Sequence, residues 1–181
     1  MDNTTETQFQ NPNIKGLSKA VLVTGGSGYV GSHTCKFLSK NGYTPIVIDR
    51  DLRTKFKPAE FGPIFDINLP QEIERLDEII KRFNITSCIH FAGSASVAES
   101  VKNPSEYYRN NVIATVALLD KLIDCGVKTF VYSSSAATYG DPGLRKCKES
   151  DVPKPISAYG ASKLMMEMIC KDYLRAYGLS S

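Results

Sequence analysis

Short apolar runs and longer amphipathic stretches follow one another along the chain. The apolar runs have the length of buried strands and lie at residues 21–23, 45–48, 63–67, 87–93 and 129–132. Between them, apolar residues recur every three or four positions, which predicts helices. Because strand and helix alternate, we predict an α/β fold with a doubly wound parallel sheet and right-handed crossovers.

Each predicted helix has its apolar residues on one face. The first helix ends at Gly42, a residue suited to a left-handed C-cap, and the third runs from Asn103-Pro104 to Gly126. We expect irregular segments at residues 51–62 and 141–156. The predicted apolar faces carry, in chain order, Val30, Thr34, Phe37 and Leu38; Ile73, Leu76, Ile80 and Phe83; Val112, Val116, Leu119 and Ile123; and Leu164, Met168 and Ile169.

Composition narrows the class of protein. A length of 181 residues suits one domain, and 42% hydrophobic with 23% charged residues is ordinary for a globular protein. Residues 1–18 are polar, so we expect a loose tail there and a single folded domain over residues 19–181. The net charge of +3 without a long basic run gives no support for nucleic-acid binding, and no apolar run approaches the roughly 18 residues of a membrane span.

Cysteine and histidine positions exclude further classes of site. The five cysteines form no C-x-x-C pair, so we expect free thiols in a reducing compartment, the cytoplasm, rather than disulfides. The two histidines have no metal-ligand spacing, and we expect no metal site. The cysteines that lie within apolar patterns are Cys35, Cys88, Cys125 and Cys170.

The first apolar run ends in a glycine turn with the spacing G-x-x-G-x-x-G, formed by Gly25, Gly28 and Gly31. A strand, a tight turn and a helix in this order let the backbone approach a ligand phosphate, and the helix start presents free N–H groups. The turn predicts a dinucleotide site, although such turns also occur for structural reasons alone.

An acidic residue, Asp49, ends the second apolar run. It follows the glycine turn at about the 20-residue distance at which a carboxylate binds the ribose hydroxyls of NAD. A carboxylate there repels a 2′-phosphate, which favours NAD over NADP, while the neighbouring Arg50 leaves NADP open. The alternative is a solvated aspartate at the end of a strand.

Polar side chains gather near the ends of the later strands, where open α/β sheets bind ligands. The fifth strand runs into Ser133-Ser134-Ser135, and the helix before it contains Asn110 and Asn111. An asparagine inside a helix needs a partner for its amide. Either one of the two faces water, or Asn110 points at the carboxyl edge of the sheet.

Tyr159 and Lys163 lie one turn apart on the same face of the last predicted helix. A phenol with its free pKa of about 10 is a poor base at neutral pH, but a nearby ammonium and a positively charged nicotinamide ring favour the phenolate. Tyr-x-x-x-Lys alone is a weak motif. Combined with the glycine turn, Asp49 and the serine cluster, it predicts a site that uses a nicotinamide cofactor.

Several segments share motifs with a known superfamily: Val-Thr-Gly-Gly-Ser-Gly-Tyr-Val-Gly-Ser-His (23–33), His-Phe-Ala-Gly (90–93), Glu-Ser-Val (99–101), Tyr-Tyr-Arg-Asn-Asn-Val (107–112), Ser-Ser-Ser-Ala-Ala-Thr-Tyr-Gly (133–140) and Tyr-Gly-Ala-Ser-Lys-Leu (159–164). In these segments the chain resembles the extended short-chain dehydrogenase/reductase superfamily, and within it the UDP-glucose 4-epimerases. The resemblance extends over roughly residues 20–179.

The resemblance implies site residues and a reaction. Ser135, Tyr159 and Lys163 would be the catalytic trio of an epimerisation at C4 of UDP-glucose or UDP-galactose. The Tyr159 phenolate would take the 4-hydroxyl proton while C4 transfers a hydride to NAD, and the transient 4-keto sugar would take the hydride back on its other face. The residues implied to contact NAD, besides Tyr159 and Lys163, are Gly25, Gly28, Tyr29, Val30, Gly31, Asp49, Phe91, Ala92, Gly93 and Asn110, with Asp66 and Ile67 beside the adenine.

The chain departs from the pattern of the family in two respects. Ala95 stands where the family commonly has a lysine, and the family members are much longer than this chain. We therefore expect a Rossmann-type sheet that stops before its sixth strand, with strand five as an exposed edge and no C-terminal substrate domain. Because that domain holds most of the nucleotide-sugar, we expect little or no epimerase activity from the isolated chain.

The resemblance leaves alternatives open. The chain could be a non-catalytic NAD-binding fragment, or an epimerase of UDP-xylose or UDP-glucuronate. A 4,6-dehydratase is disfavoured, because Ala136-Ala137 replaces the Asp-Glu pair that dehydratases place after the position of Ser135. The resemblance also implies a homodimer through the helices near residues 104–125 and 157–177.

Overall fold

The computed structural model describes residues 19–52 and 58–181, and the predicted tail at residues 1–18 lies outside the described residues. Within the described residues, five parallel strands form one sheet in the spatial order β3-β2-β1-β4-β5. The winding reverses between β1 and β4, which confirms the predicted doubly wound, Rossmann-type α/β fold. The strands are β1 (Ala20–Thr24), β2 (Thr44–Asp49), β3 (Ile64–Asp66), β4 (Ser87–His90) and β5 (Thr129–Tyr132).

The helices include each of the predicted ones and one more, α3. Gly42, just past the first helix, has a φ of +77°, as its predicted capping role requires. The helices are α1 (Tyr29–Lys40), α2 (Leu76–Phe83), α3 (Val97–Lys102), α4 (Pro104–Tyr107), α5 (Ala114–Asp124) and α6 (Ala158–Tyr177), with 3₁₀ helices at Pro58–Glu60, Ile73–Arg75 and Ala136–Tyr139.

The unpredicted helix α3 has a recognisable start signal. Ser96 caps it, since the Ser96 hydroxyl accepts a hydrogen bond from the Glu99 N–H at 3.3 Å. Ser followed three residues later by Glu is the pattern of a capping box, and it precedes Val97 and Val101. The helix is short, so its apolar repeat is too brief to predict it alone.

The core lies on both faces of the sheet, because successive residues of a strand point to opposite sides. On one face, Leu22, Ile48 and Phe130 pack with residues of α2, α5 and α6. On the other face, a smaller cluster of Val21, Val23 and Val47 packs against Cys35 of α1.

The four cysteines within apolar patterns are free thiols, as predicted. Cys35, Cys88 and Cys170 are buried, whereas Cys125 is half-buried. Burial raises the pKa of the Cys35 thiol to about 12. This thiol is therefore protonated and unreactive at neutral pH.

Helix α1 buries only part of the predicted face. Its buried residues are Gly31, Ser32 and Cys35, and the predicted Leu38 is half-buried against the core. Val30 and Phe37 are 55% and 67% exposed. The reason is close packing, because a Cβ atom at Gly31 would lie 2.3 Å from the carbonyl oxygen of Gly25. Small residues therefore face the glycine turn, and Val30 and Phe37 are turned outward.

Helix α6 also buries only part of the predicted face. Its buried positions include Lys163, Met166 and Cys170, and the predicted Ile169 is half-buried against the core, while Met168 is 60% exposed. The start of this helix packs on the Ala136–Tyr139 segment, where a Cβ at Gly160 would lie 2.4 Å from the Ala137 carbonyl oxygen. Packing through Gly160 turns the side that carries Lys163 inward.

The long helix predicted from Asn103 to Gly126 is interrupted in its middle. Between α4 and α5, residues Tyr108–Ile113 form a π-helical turn, and the Ala114 N–H donates to the carbonyl oxygen of Arg109, five residues back. Such turns insert an extra residue and occur frequently at functional sites. Here the turn contains both Asn110 and Asn111.

Strand β5 lies at one edge of the described sheet, and its outer side is partly paired. The Phe130 N–H donates to the Ser180 carbonyl oxygen at 2.8 Å, and the Ser180 N–H donates to the Lys128 carbonyl oxygen at 3.0 Å. Ser180 thereby forms a parallel bridge with Thr129. The expected exposed edge is thus covered at Thr129 and Phe130, while Val131 is 51% exposed.

Candidate functional site

A cavity of about 680 Å³ opens at the carboxyl ends of the central strands. Its volume is within the range of small-molecule sites, and it lies where the winding of the sheet reverses. The residues predicted to contact NAD that line it are Gly25, Gly28, Asp49, Ile67, Phe91, Ala92, Gly93 and Asn110.

The other predicted site residues lie outside this cavity. Tyr29 and Val30 are exposed on α1 and line a separate, shallower groove on that helix. Gly31 is buried against the turn, and Asp66 is an exposed residue at the end of β3. The predicted trio of Ser135, Tyr159 and Lys163 lies on the neighbouring β5 and α6 side.

The glycine turn brings backbone segments into direct contact. Gly25 has a φ of +69°, and a Cβ there would lie 2.5 Å from the backbone nitrogen of Ala92. Gly28 precedes the first residue of α1, and no side chain of the described residues caps this helix start. An uncapped helix N-terminus with free N–H groups is a favourable place for an anion such as a pyrophosphate.

Backbone donors hold the carboxylate of Asp49 at the cavity. Its Oδ2 accepts from the Ser27 N–H at 2.9 Å, and its Oδ1 accepts from the Asp51 N–H at 3.3 Å. Each carboxylate oxygen can accept a further hydrogen bond, so the group is oriented and still able to bind hydroxyls.

Arg50 points in a different direction. Its Nη1 lies 3.5 Å from Oδ1 of Asn110. Among the described residues that line the cavity, Arg50 is the only permanent cation. It therefore opposes the charge of Asp49 without pairing with it.

Ser27 supplies a hydroxyl that sequence analysis did not assign. The residue is 4% exposed, and its Oγ has no hydrogen-bond partner within the described part of the chain. Buried hydroxyls normally have partners, and a ligand oxygen beside the turn would provide one. The glycine turn, the uncapped helix start, Ser27 and Asp49 together fit the phosphates and ribose of a dinucleotide.

The two asparagines of the π-helical turn hold the segment that follows β4. Asn110 Nδ2 donates to Ser94 Oγ at 2.9 Å. Asn111 is buried, and its side chain accepts from the Ser94 N–H at 2.8 Å and donates to the Ser94 carbonyl oxygen at 2.9 Å. Asn110 thus lies at the carboxyl edge of the sheet, and Asn111, which the sequence left unassigned, fixes the wall of the cavity.

Asn111 also connects this wall with the helix that carries the predicted trio. Its Nδ2 donates to Ser162 Oγ at 3.2 Å, and Ser162 donates in turn to the carbonyl oxygen of Tyr159 at 2.7 Å. In the sequence, the only signal for this role of Asn111 is that two asparagines lie inside a helix. Their hydrogen-bond partners in the folded chain show that Asn111, and not Asn110, makes this connection.

Lys163 is a buried cation beside two aromatic rings. Its Nζ donates to the Ser133 carbonyl oxygen at 2.8 Å and lies 4.8 Å from the ring centroid of Tyr132 and 5.8 Å from that of Tyr159. Burial lowers the pKa of Lys163 to about 8. The ammonium form therefore predominates at neutral pH and is lost in mildly alkaline solution.

Ser135 begins the 3₁₀ helix at Ala136–Tyr139, and its hydroxyl accepts from the Ala137 N–H at 3.2 Å. This segment packs directly on the first turn of α6, where Ser157 caps the helix by accepting from the Gly160 N–H at 3.1 Å. The packing through Gly160 brings the segment of Ser135 and the turn of Tyr159 together.

Within residues 19–52 and 58–181, no helix is long and apolar enough to cross a membrane. Within the same residues, no group of three or more His, Cys, Asp or Glu side chains is arranged to hold a metal ion.

The chain is similar to known epimerases over nearly all of its described length. It is 42% identical over 164 residues to a UDP-glucose 4-epimerase of Halalkalibacterium halodurans, covering 88% of this chain and 48% of the relative. The crystal structure of UDP-glucose 4-epimerase from Brucella ovis in complex with NAD has a TM-score of 0.83 at 40% identity and covers 90% of this chain and 50% of that one. The crystal structure of the Thermotoga maritima UDP-glucose 4-epimerase with UDP-glucose has a TM-score of 0.79 at 34% identity. It covers 88% of this chain and 52% of that one.

These similarities concern one part of the relatives, since the chain spans about half the length of the curated proteins that it matches. The profile of one family matches residues 21–181. That match includes the glycine turn, Asp49, both asparagines and the Tyr159-Lys163 pair. The chain belongs to the NAD dependent epimerase/dehydratase family.

Proposed function

We propose that this chain is the NAD-binding part of an enzyme that epimerises C4 of a UDP-sugar. The observation that carries the proposal is the cavity at the reversal of the sheet, in which a preoriented Asp49 carboxylate and an unpartnered Ser27 hydroxyl meet an uncapped helix start. The relatives named UDP-glucose 4-epimerase, and the neighbouring structure solved with NAD, support the same cofactor.

The residues that would hold NAD follow from the chemistry of the cavity. Asp49 would accept hydrogen bonds from the ribose hydroxyls, and the start of α1 would bind the pyrophosphate. Ile67 would contact the adenine from the segment after β3, and Phe91–Gly93 would form the opposite wall. An additional phosphate at the ribose would meet the carboxylate of Asp49, which favours NAD over NADP.

The predicted trio would move the proton at the sugar. Bound NAD supplies the acceptor and donor of the hydride at C4. Tyr159 would take the proton of the 4-hydroxyl and later return it, with Nζ of Lys163 at 5.8 Å from the centroid of its ring. Ser135 would donate a hydrogen bond to the reacting oxygen. Because the hydride returns to the same carbon, the reaction has no net oxidation or reduction.

The substrate class is proposed from the relatives and from one feature of the chain. The Thermotoga maritima relative was solved with UDP-glucose, which supports UDP-glucose and UDP-galactose as the pair of sugars. The Ala136-Ala137 pair after Ser135 has no acid or base, which favours epimerisation over 4,6-dehydration.

Binding of NAD by the purified chain tests this proposal. Isothermal titration calorimetry should detect NAD binding and weaker NADP binding, and mass spectrometry of copurifying small molecules should detect NAD. Absence of NAD binding, or equal affinity for NAD and NADP, would contradict it. Turnover of UDP-galactose by the chain would establish the epimerase activity, whereas NAD binding without turnover would favour the alternative of a non-catalytic NAD-binding module.

We also propose that the helices near residues 104–125 and 157–177 form a homodimer. Large apolar side chains are exposed on them, including Ile113 (59%), Met168 (60%) and Tyr177 (58%). Sedimentation velocity at micromolar concentration should show a dimer that the substitution Met168→Glu dissociates. A monomer in the unsubstituted chain would contradict this part of the proposal.

A further inference from the structure

His90 lies at the centre of a buried chain of hydrogen bonds that links β1, β4 and α5. Its Nδ1 is 2.6 Å from Thr24 Oγ1, and its Nε2 is 3.0 Å from Thr115 Oγ1. The Thr115 hydroxyl donates to the carbonyl oxygen of Asn111 at 2.8 Å, and Thr24 Oγ1 accepts from the Ala92 N–H at 3.3 Å. His90 is 3% exposed, and both threonines are fully buried.

The partners of the two threonines determine where the imidazole proton lies. The single hydroxyl proton of Thr115 is donated to a carbonyl oxygen, so Thr115 can only accept from His90, which requires a proton on Nε2. Nδ1 is then unprotonated and accepts the hydroxyl proton of Thr24. The other tautomer would leave the Thr24 proton without an acceptor within the described residues, at a fully buried position.

The surroundings keep this imidazole neutral. Burial, with a smaller contribution from the Lys163 charge on α6, lowers the pKa of His90 to about 3. The rings of Phe130 and Tyr132 on β5 lie 5.8 Å and 6.0 Å from the imidazole centroid. A second proton on the ring would also displace the proton that Thr24 donates to it.

The hydrogen bonds of His90 join elements that form the walls of the cavity. Thr24 precedes Gly25 of the turn, and its carbonyl oxygen accepts from the Phe91 N–H at 3.0 Å. The Ala92 N–H donates to the Thr24 side chain. Thr24 therefore binds the Phe91–Gly93 wall through both its backbone carbonyl oxygen and its side chain. On the other side, Thr115 follows Ala114, which lines the cavity at the start of α5.

We propose that His90 is a positioning residue, a neutral imidazole protonated on Nε2 that fixes the distance between the glycine turn, the Phe91–Gly93 wall and α5. It acts through Thr24 and Thr115 and does not itself carry out a step of the reaction. This inference rests on the proposed function, since the ligand for which the walls are positioned is taken to be NAD.

The proton positions can be measured without any ligand. The chain contains only two histidines, so long-range ¹H–¹⁵N spectra of the ¹⁵N-histidine-labelled protein contain two imidazoles, and His33→Gln assigns them. We expect His90 to show the Nε2–H tautomer and to remain neutral between about pH 5.5 and 8. An Nδ1–H tautomer, or an imidazolium at pH 7, would overturn the proposal.

The positioning role is tested by comparing Thr115→Val with Thr115→Ser. Valine keeps the shape but leaves Nε2–H without its acceptor and removes the hydroxyl that donates to the Asn111 carbonyl oxygen. We therefore expect about tenfold weaker NAD binding by calorimetry and a mixture of tautomers. Serine retains the hydroxyl and should bind NAD within about twofold of the original chain. The control Ser100→Ala removes a buried hydroxyl that donates to the Val97 carbonyl oxygen, away from the cavity, and should not change NAD affinity.

The outcomes separate this inference from the proposed function. Equal NAD affinity of the Thr115→Val and Thr115→Ser proteins would refute the positioning role, even with NAD bound normally. If Thr115→Val does not fold, the positioning role is judged from the NAD affinity of Thr115→Ser and from the tautomer of His90 in the original chain. If the original chain binds no NAD, the proposed function and the positioning role for NAD fail together, while the tautomer measurement independently confirms or refutes the proton arrangement of His90.

Discussion

The glycine-turn side and the β5 side of the carboxyl edge are built differently. On the glycine-turn side, β1 pairs with a strand on each side, and Leu22 and Val23 are fully buried. On the β5 side, Val131 is half exposed and the following loop carries Leu144 and Ile156 in solvent. The first side encloses a cavity within residues 24–114. On the β5 side, Ser135 and Tyr159 are half-buried, and only Lys163 of the predicted trio is buried.

The two sides have different expected roles, since the glycine-turn side would bind the cofactor and the β5 side would carry the residues that react with it. The walls around Asp49 are held by backbone contacts at the ends of interior strands. The position of Lys163 depends on one helix packed over an edge strand. We therefore expect substitutions on the first side to weaken NAD binding strongly, and substitutions on the second side to change protonation with less effect on NAD affinity.

The largest expected effect is that of a side chain in the glycine turn. In Gly25→Ala the Cβ would lie 2.5 Å from the Ala92 nitrogen at a φ of +69°, so we expect a loss of about 3 kcal/mol or more in the free energy of unfolding. Gly42→Ala is the matched control, with a φ of +77° and open space around the Cβ, and should lose only about 1 kcal/mol. Urea unfolding of both proteins measures the difference. Equal losses would show that backbone strain alone, and not contact with the Phe91–Gly93 wall, explains why position 25 requires glycine.

Next in size is the effect of removing the carboxylate of Asp49. Asp49→Ala should weaken NAD binding about 30-fold. The substitution removes two expected hydrogen bonds to ribose hydroxyls and the hydrogen bond that orients the Ser27 N–H. The control Asp172→Ala removes an exposed acid that pairs with Arg175 on α6, and should leave NAD affinity unchanged. Calorimetry measures both. Similar affinities of the two variants would disprove the proposed ribose contact.

A smaller effect is expected of Lys163 on the pH dependence of the free energy of unfolding. The sign of this effect follows from the lowered pKa of the lysine. In the unfolded chain the lysine keeps its proton up to its usual pKa of about 10.5, whereas in the folded chain it loses the proton near pH 8. Between these values the unfolded state binds more protons, so stability relative to Lys163→Met should rise with pH, by on the order of 2 kcal/mol.

Denaturant unfolding of the original chain and of Lys163→Met between pH 7 and 10 checks this sign. The comparison cancels the titration of cysteines and tyrosines that both proteins share. A difference that falls as pH rises would mean that a negative partner, rather than burial, controls this lysine. NAD affinity at pH 7 should change less in this variant than in Asp49→Ala.

The smallest expected effect concerns the departure at Ala95. This residue is exposed and lies two positions after Gly93, which lines the cavity. Ala95→Lys should therefore strengthen NAD binding about threefold at low salt by attracting the pyrophosphate. Ala98→Lys places the same charge on the exposed part of α3 as a control. No difference between the two variants would indicate that Arg50 already supplies the positive charge that this chain requires.

The apolar pattern predicted the order of strands and helices because buried strands in a parallel sheet are continuous apolar runs. It identified the buried faces of α1 and α6 only in part, through Leu38 and Ile169. In both helices a glycine, Gly31 or Gly160, sits against a carbonyl oxygen from a distant turn or loop, and this contact orients the helix more strongly than its larger apolar side chains. Hydrophobic periodicity contains no information about that contact.

The candidate site divides in the same way. The glycine turn, Asp49 and the Tyr159-Lys163 pair are recognisable in the sequence because their spacing along the chain is set by one turn, one βαβ unit or one turn of helix. Ser27, His90 and Asn111 were not assigned, because what distinguishes them is the absence or presence of partners in other elements.

Local chemistry in the sequence was therefore sufficient to determine the fold class and the type of cofactor site, since both depend on short-range spacing and on which residues avoid water. The proton on His90, the lowered pKa of Lys163 and the wall built on Asn111 depend on burial and on partners from other elements. Those properties arise only when the folded chain brings β1, β4, β5, α5 and α6 together and removes water from between them.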